Sequence, residues 1–228
     1  GLQVLSAQTD VSVSAPVGNE IVFSADLFAR GLNLSRVTSV TVQTLPPVTD
    51  GELLLGSTRI AEGQQIMAEN LPYVTFSASA EDMLHTSFTF VANEGRVPMV
   101  CNLYFTDQVN YTPTVSMASG LSLRGTTFKN MELYGTMSAY DPDGDTLIFE
   151  VVSYPQNGSV KVVDREAGTY VYTPYSGYVG TDSFSYVARD LYGNYSASAK
   201  INLRIEQAGT QITYVDMADS AAHISALK

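Results

Sequence analysis

The sequence predicts an all-β fold: two tandem β-sandwiches with a short C-terminal helical tail. Three observations carry this expectation. The chain has 228 residues, and a sandwich of about 100 residues closes its own core. Short segments alternate in polarity, as strands with one face buried must. One stretch of the sequence also recurs 96 residues further on.

The strand signal runs through most of the chain. Segments rich in β-branched and aromatic residues lie at Thr38–Thr44, Tyr73–Phe76, Ser87–Val91 and Thr146–Val152. Others lie at Ser159–Val163, Thr169–Tyr172, Ser183–Ala188 and Ala197–Ile205. Gly, Asn, Asp and Pro punctuate them at the spacing of sandwich turns. Helical periodicity appears near Ser24–Ala29, with Ser24 as the N-cap, and in the tail from Asp219.

The repeat sets the organisation. Ser87-Phe88-Thr89-Phe90-Val91-Ala92 returns as Ser183-Phe184-Ser185-Tyr186-Val187-Ala188. At the same offset Phe76-Ser77-Ala78 falls on Tyr172-Thr173-Pro174. Upstream, Pro47–Leu53 resembles Pro155–Val160, and Gly51 and Gly158 there suit tight hairpin turns that need positive φ. The first copy carries an insertion of about ten residues before Phe76, within Gly56–Leu71. Polar, Pro-containing Thr106–Pro113 marks the first boundary, and Gln207–Gln211 the second. The expected units are 1–108, 109–207 and 208–228.

Composition excludes several functions. Lys and Arg total 12 against 23 Asp and Glu, a net charge of −11. Such a surface lacks the basic footprint that nucleic acids or anionic lipids need. No uninterrupted apolar window reaches the roughly 18 residues of a membrane span. The opening Gly1-Leu2-Gln3 has neither a basic n-region nor an apolar h-region, as expected for mature or excised material. The single cysteine, Cys101, sits in an apolar run and reads as a buried thiol. His85 reads as a surface-loop residue and His223 falls in another module, so no Ser/His/Asp or Cys/His constellation assembles. Asn33, Asn110, Asn157 and Asn194 fit the N-x-S/T pattern, which arises often by chance.

The second copy carries a specific motif set. It begins Asp141-Pro142-Asp143-Gly144-Asp145-Thr146-Leu147, then Pro155-Gln156-Asn157-Gly158. Tyr172-Thr173-Pro174 and Tyr178-Val179-Gly180-Thr181-Asp182-Ser183-Phe184-Ser185-Tyr186 follow, and Asp190-Leu191-Tyr192-Gly193 closes it. In this order the motifs resemble bacterial cadherin-like/immunoglobulin-like tandem repeat domains over about residues 110–206. The first copy resembles them in degenerate form and lacks the acidic run. The resemblance implies non-catalytic immunoglobulin-like/cadherin-like sandwiches at a cell surface.

Asp141, Asp143 and Asp145 are the sharpest chemical signal. Three carboxylates around Gly144 can converge on a hard cation such as calcium, which wants six to eight oxygens. The resemblance implies that Asp190 joins them and that linker residues, here Asp107 and Asn110, complete the cage. The same run also reads as a turn, with Asp closing Asx-turns, Pro setting φ and Gly taking the left-handed position.

The tail Thr213–Lys228 resembles the opening of an S-layer-homology module, whose first helix Asp219 or Ser220 would cap. That family anchors proteins to the secondary polymer of a Gram-positive wall. The expected role is therefore a cell-surface spacer or adhesion module near such an anchor. Its partners would be the cell-wall polymer, reached through the downstream module, another surface protein or a glycan. The alternatives are a carbohydrate- or ligand-binding module using exposed tyrosines or Gly56–Leu71, and an accessory region of a larger surface enzyme. With no heptad or long apolar face, the chain is expected to be a monomer.

Overall fold

The computed structural model describes residues 10–115 and 123–208. The first sandwich contains β1 (Asp10–Pro16), β2 (Ile21–Val22), α1 (Ala25–Gly31), β3 (Ser39–Thr44) and β4 (Gly51–Leu55). It continues with β5 (Thr58–Arg59), β6 (Gln65–Met67), β7 (Val74–Ala78), β8 (His85–Ala92) and β9 (Met99–Thr106). A 3₁₀ turn at Ala68–Tyr73 leads into β7. One sheet has the order β1-β9-β8-β3-β6 and the other β2-β7-β4-β5.

The second sandwich contains β10 (Arg124–Phe128), β11 (Leu133–Thr136), β12 (Ile148–Ser153) and β13 (Gly158–Asp164). β14 (Thr169–Pro174), β15 (Gly180–Arg189) and β16 (Ala199–Glu206) complete it. Its sheets have the orders β10-β16-β15-β12 and β11-β14-β13. In each half the first strand pairs in parallel with the last. The remaining pairings are antiparallel.

Each half buries a core of its own. Val11 through Phe105 supply one cluster, Met137 through Ile205 the other, and no residue belongs to both. In the first, Phe28 meets Phe90 edge-on at 4.9 Å between ring centroids. In the second, Tyr170 meets Phe184 edge-on, also at 4.9 Å. Burying one such ring stabilises by roughly 1.5–3 kcal/mol, and a well-set aromatic pair adds about 0.5–1.5 kcal/mol. The repeat is three-dimensional: Phe76, Phe88 and Phe90 are buried in one core, and Tyr172, Phe184 and Tyr186 in the other. Where the second copy replaces phenylalanine with tyrosine, the hydroxyl finds a partner. Tyr172 donates to Asp182 at 2.9 Å and Tyr186 to the Ser138 carbonyl at 2.7 Å.

The helix near Ser24 forms because the Ser24 hydroxyl accepts from the Leu27 N–H at 3.1 Å, satisfying one orphan donor of the first turn. Its inner face buries Phe28 and Ala29.

Two expectations need correction. Gly51 and Gly158 do not sit in hairpin turns; they open β4 and β13, the strands that follow a crossing from one sheet to the other. Gly51 has φ +149°, whereas Gly158 does not take a positive φ. What the two share is close approach. A Cβ on Gly158 would lie 2.5 Å from the Tyr172 ring, and one on Gly51 would lie 2.7 Å from the Phe76 ring. Gly51 pairs with Ala78 and Gly158 with Pro174, and these two partners stand 96 residues apart, the offset of the repeat.

His85 is exposed, but it opens β8 rather than lying in a loop. It stacks on Tyr104 at 4.5 Å between ring centroids. The Gly56–Leu71 insertion is built into both sheets. β5 extends one sheet beside β4 and β6 extends the other beside β3. Ile60, Ile66 and Leu71 anchor it in the core.

Cys101 is fully buried, and burial pushes its thiol well above the ordinary range. No helix among the described residues is long and apolar enough to cross a membrane. The expected tail helix and the S-layer-homology resemblance fall on residues 209–228, outside the described residues.

Candidate metal centre

The acidic run lies between the linker and the body of the second sandwich. Thr114 and Tyr140 exchange two backbone hydrogen bonds of 2.8 Å, which lay the linker along the start of the run. The run then folds as an Asx-turn. Asp141 Oδ1 accepts from the N–H groups of Asp143 at 2.9 Å and Asp145 at 3.3 Å. The Gly144 N–H reaches the Asp141 carbonyl at 3.2 Å, with Gly144 at φ +81°. The turn reading and the cluster reading are therefore one geometry, because the turn gathers the carboxylates.

Asp141, Asp143 and Asp145 each bring one carboxylate oxygen within 4.8 Å of the others. Asp141 is buried at 4% exposure, Asp145 is half-buried and Asp143 is exposed. The Oδ2 atoms of Asp141 and Asp145 are both buried without a hydrogen-bond partner. Such groups are costly unless something satisfies them. Burial raises the Asp145 carboxyl above the usual range, and the charges of Asp141, Asp190 and Asp143 raise it further.

Asp190 stands beside this group, fully buried at the end of β15. Its Oδ1 accepts from the Asn194 N–H at 2.9 Å. Its Oδ2 accepts from the side-chain amides of Asn194 at 3.0 Å and of Asn110 at 2.6 Å. The Tyr111 N–H donates to Asp143 Oδ2 at 2.7 Å. The linker residue Asn110 is thus at the site, and Asp107 stands exposed just past β9, outside the grouping.

Sequence reasoning treats Asn194 only as part of an N-x-S pattern. Its position as the fourth residue after Asp190, following Gly193, was the available signal for a residue that closes the loop back on that carboxylate.

The strand ending at Asp190 is fixed by a buried ion group. Glu150 Oε1 accepts from Arg189 Nε at 2.8 Å and from Arg165 at 2.7 Å. Burial opposes the Arg189 charge, but Glu150 more than offsets it and holds the guanidinium protonated.

The loop after Asp190 also reaches the first sandwich. Tyr192 meets Tyr104 edge-on at 5.5 Å, and Arg30 lies over the Tyr195 ring at 5.5 Å.

Residues 110–204 match the family described as a bacterial Ig domain. None of the curated proteins matches the chain. Among solved structures, the fibronectin(III)-like modules of Clostridium thermocellum CbhA share 20% identity with a TM-score of 0.35, covering 90% of this chain and 94% of that one. Drosophila N-cadherin EC1-3 shares 10% identity with a TM-score of 0.38, covering 86% of this chain and 63% of that one. An endo-fucoidan hydrolase of glycoside hydrolase family 107 shares 19% identity with a TM-score of 0.33, covering 75% of this chain. The match spans 24% of that hydrolase, about a quarter of its length.

The strand orders are those of two β-sandwiches, and the second sandwich, over residues 110–204, is similar to the bacterial Ig domain.

Proposed function

We propose that this chain is a cell-surface spacer or adhesion segment whose junction is braced by calcium. The observation that carries the reading is the pair of buried, unpartnered oxygens on Asp141 and Asp145, two members of a group of three neighbouring carboxylates. Asp141, Asp143, Asp145 and Asp190 would hold the ion. Asn110 supplies a linker oxygen once its amide turns, and Asp107 is the outer candidate. A hard divalent cation offers oxygen coordination and cancels the repulsion among these charges.

The fit is chemically sound. The ligands are all oxygen, as calcium prefers, and the cage is open to water on the side of Asp143. Affinity of the extracellular type, on the order of 10⁻⁴–10⁻³ M, is expected. The ion would join linker, acidic loop and Asp190 loop, so it would stiffen the segment where calcium is plentiful.

The wall location extends the reading further. It rests on the resemblance of residues 213–228 to an S-layer-homology module and on the bacterial Ig match. The sequence of the parent protein beyond Lys228 tests it directly.

Thermal melts test the cation. Millimolar calcium should raise the melting temperature, and a chelator should reverse the rise. At calcium tenfold above its Kd, the expected stabilisation is about 1.4 kcal/mol. Asp143→Asn should remove the response while keeping the fold. A parent protein indifferent to millimolar calcium would reduce the acidic run to a turn.

A further inference from the structure

We infer that the outer face of the β10-β16-β15-β12 sheet binds a carboxylated polysaccharide, with Lys200 and Arg124 as the anion contacts. The face is separate from the acidic junction and its function does not depend on a cation.

A groove of about 620 Å³ crosses this face. Ser153, Gln156, Thr181, Ser183, Lys200 and Asn202 are among its lining residues, together with Asp182, Tyr154 and Leu203. The floor follows from strand alternation. β16 buries Ile201 and Leu203 and turns Lys200 and Asn202 outward. Register sets Ser185 opposite Lys200 and Ser183 opposite Asn202, while Arg124 on β10 lies beside Asn202. Lys200 and Arg124 are then diagonal neighbours, roughly 8 Å apart at the backbone by sheet spacing.

The charge here runs against the chain. The protein carries −11 overall. Among the described residues no carboxylate forms an ion pair with Lys200 or Arg124, while Arg204 is spent on Glu206 at 2.9 Å. One carboxylate, Asp182, lines the groove itself, and it is also spent. Asp182 accepts from the N–H groups of Gln156, Asn157 and Ser183 and from the Tyr172 hydroxyl. Those bonds satisfy its charge and pin the turn before β13, so the rim is set before any ligand arrives.

The lining chooses among anions. Hydroxyls and amides at Thr181, Ser183, Asn202 and Gln156 both donate and accept, which matches sugar hydroxyls. A phosphate polymer would use only donors. An acidic protein partner would want a large apolar anchor, and this lining is mostly polar. An open groove suits an extended chain rather than a small enclosed molecule.

Calorimetric titration of the chain at low ionic strength tests the assignment. The probes are a galacturonate oligosaccharide and its methyl ester, which keeps the sugar and removes the charge. The acid should bind, the ester should not, and salt should weaken binding. Lys200→Glu should lower affinity at least about tenfold, the loss of one charge-assisted contact. Arg124→Ser should weaken it in the same direction. Lys161→Glu, on β13 of the other sheet, should change nothing, and all three variants should melt like the parent. Asp143→Asn should bind the acid normally, which separates this site from the calcium reading. No binding of the acid at low salt, equal binding of the ester, or an equal loss in Lys161→Glu would overturn the proposal.

Discussion

Gly193 is packed against the backbone of Ser12: a Cβ added to it would lie 2.0 Å from the Ser12 carbonyl oxygen. The two residues belong to different sandwiches, so glycine lets the loop after Asp190 approach the first sheet edge-on. Gly193 also adopts φ +90°, a conformation that side chains rarely tolerate. Tyr192 and Tyr195 flank this contact, touching Tyr104 and Arg30.

Gly193→Ala should therefore undock the two sandwiches, at a cost on the order of 1–3 kcal/mol. Small-angle scattering should report a larger radius of gyration. Arg30→Ala separates docking from loop strain, because it removes the stacked cation and leaves the loop conformation alone. That change should loosen the contact by about 0.5–2 kcal/mol. An unchanged radius in both variants would refute the contact.

The acidic loop should show an inverted pH response without calcium. The Asp145 carboxyl is raised by burial and by Asp141, Asp190 and Asp143. A raised acid binds its proton more tightly folded than unfolded, so its contribution is fully present below the ordinary carboxylate value. That contribution is lost as pH rises through the raised one. In chelator at neutral pH, Asp145→Asn should melt higher than the parent, by an amount on the order of 0.5–1 kcal/mol. The two should converge as pH falls below the ordinary carboxylate range. Melting curves across pH in chelator give the comparison, and a lower neutral-pH melting temperature in Asp145→Asn would contradict it.

The glycines that open β4 and β13 should tolerate no side chain. Gly158→Ala places a methyl 2.5 Å from the Tyr172 ring and 2.7 Å from the Thr173 carbonyl. Gly51→Ala places one 2.2 Å from the Ser77 carbonyl and adds strain at φ +149°. Overpacking of this kind costs about 1–3 kcal/mol, and Gly51→Ala should be the worse of the two. Denaturant titration of each variant measures it.

Two separate cores should melt separately when one is damaged. Phe184→Ala should destabilise the second sandwich by about 3–5 kcal/mol, and Phe90→Ala the first by a similar amount. Hydrogen exchange should show protection lost mainly within the strands of the injured half. Equal loss across both halves would mean that the two fold as one cooperative unit.

Much of this protein was written in the spacing of its residues. The Phe88/Phe184, Phe90/Tyr186 and Phe76/Tyr172 correspondences were legible because a strand exposes its identity locally, through alternation and aromatic content. The Ser24 cap was legible for the same reason, since it bonds three residues away. The acidic run was also local, so its candidate residues could be named before any fold was known. Strands β1 and β10 were not singled out in the sequence: each pairs in parallel with the last strand of its sandwich, about 90 or 80 residues away. The roles of Gly51 and Gly158 depend on rings that reach them from a neighbouring strand. The contact of Asn110 with Asp190 spans 80 residues. Sequence determined which segments alternate and which residues carry charge, because those properties belong to the chain itself. Only the tertiary structure decided which carboxylate oxygens are left buried and unpartnered, which cations form no ion pair among the described residues, and which glycine admits a neighbouring domain, because burial and distance arise only once strands remote in sequence have closed upon each other.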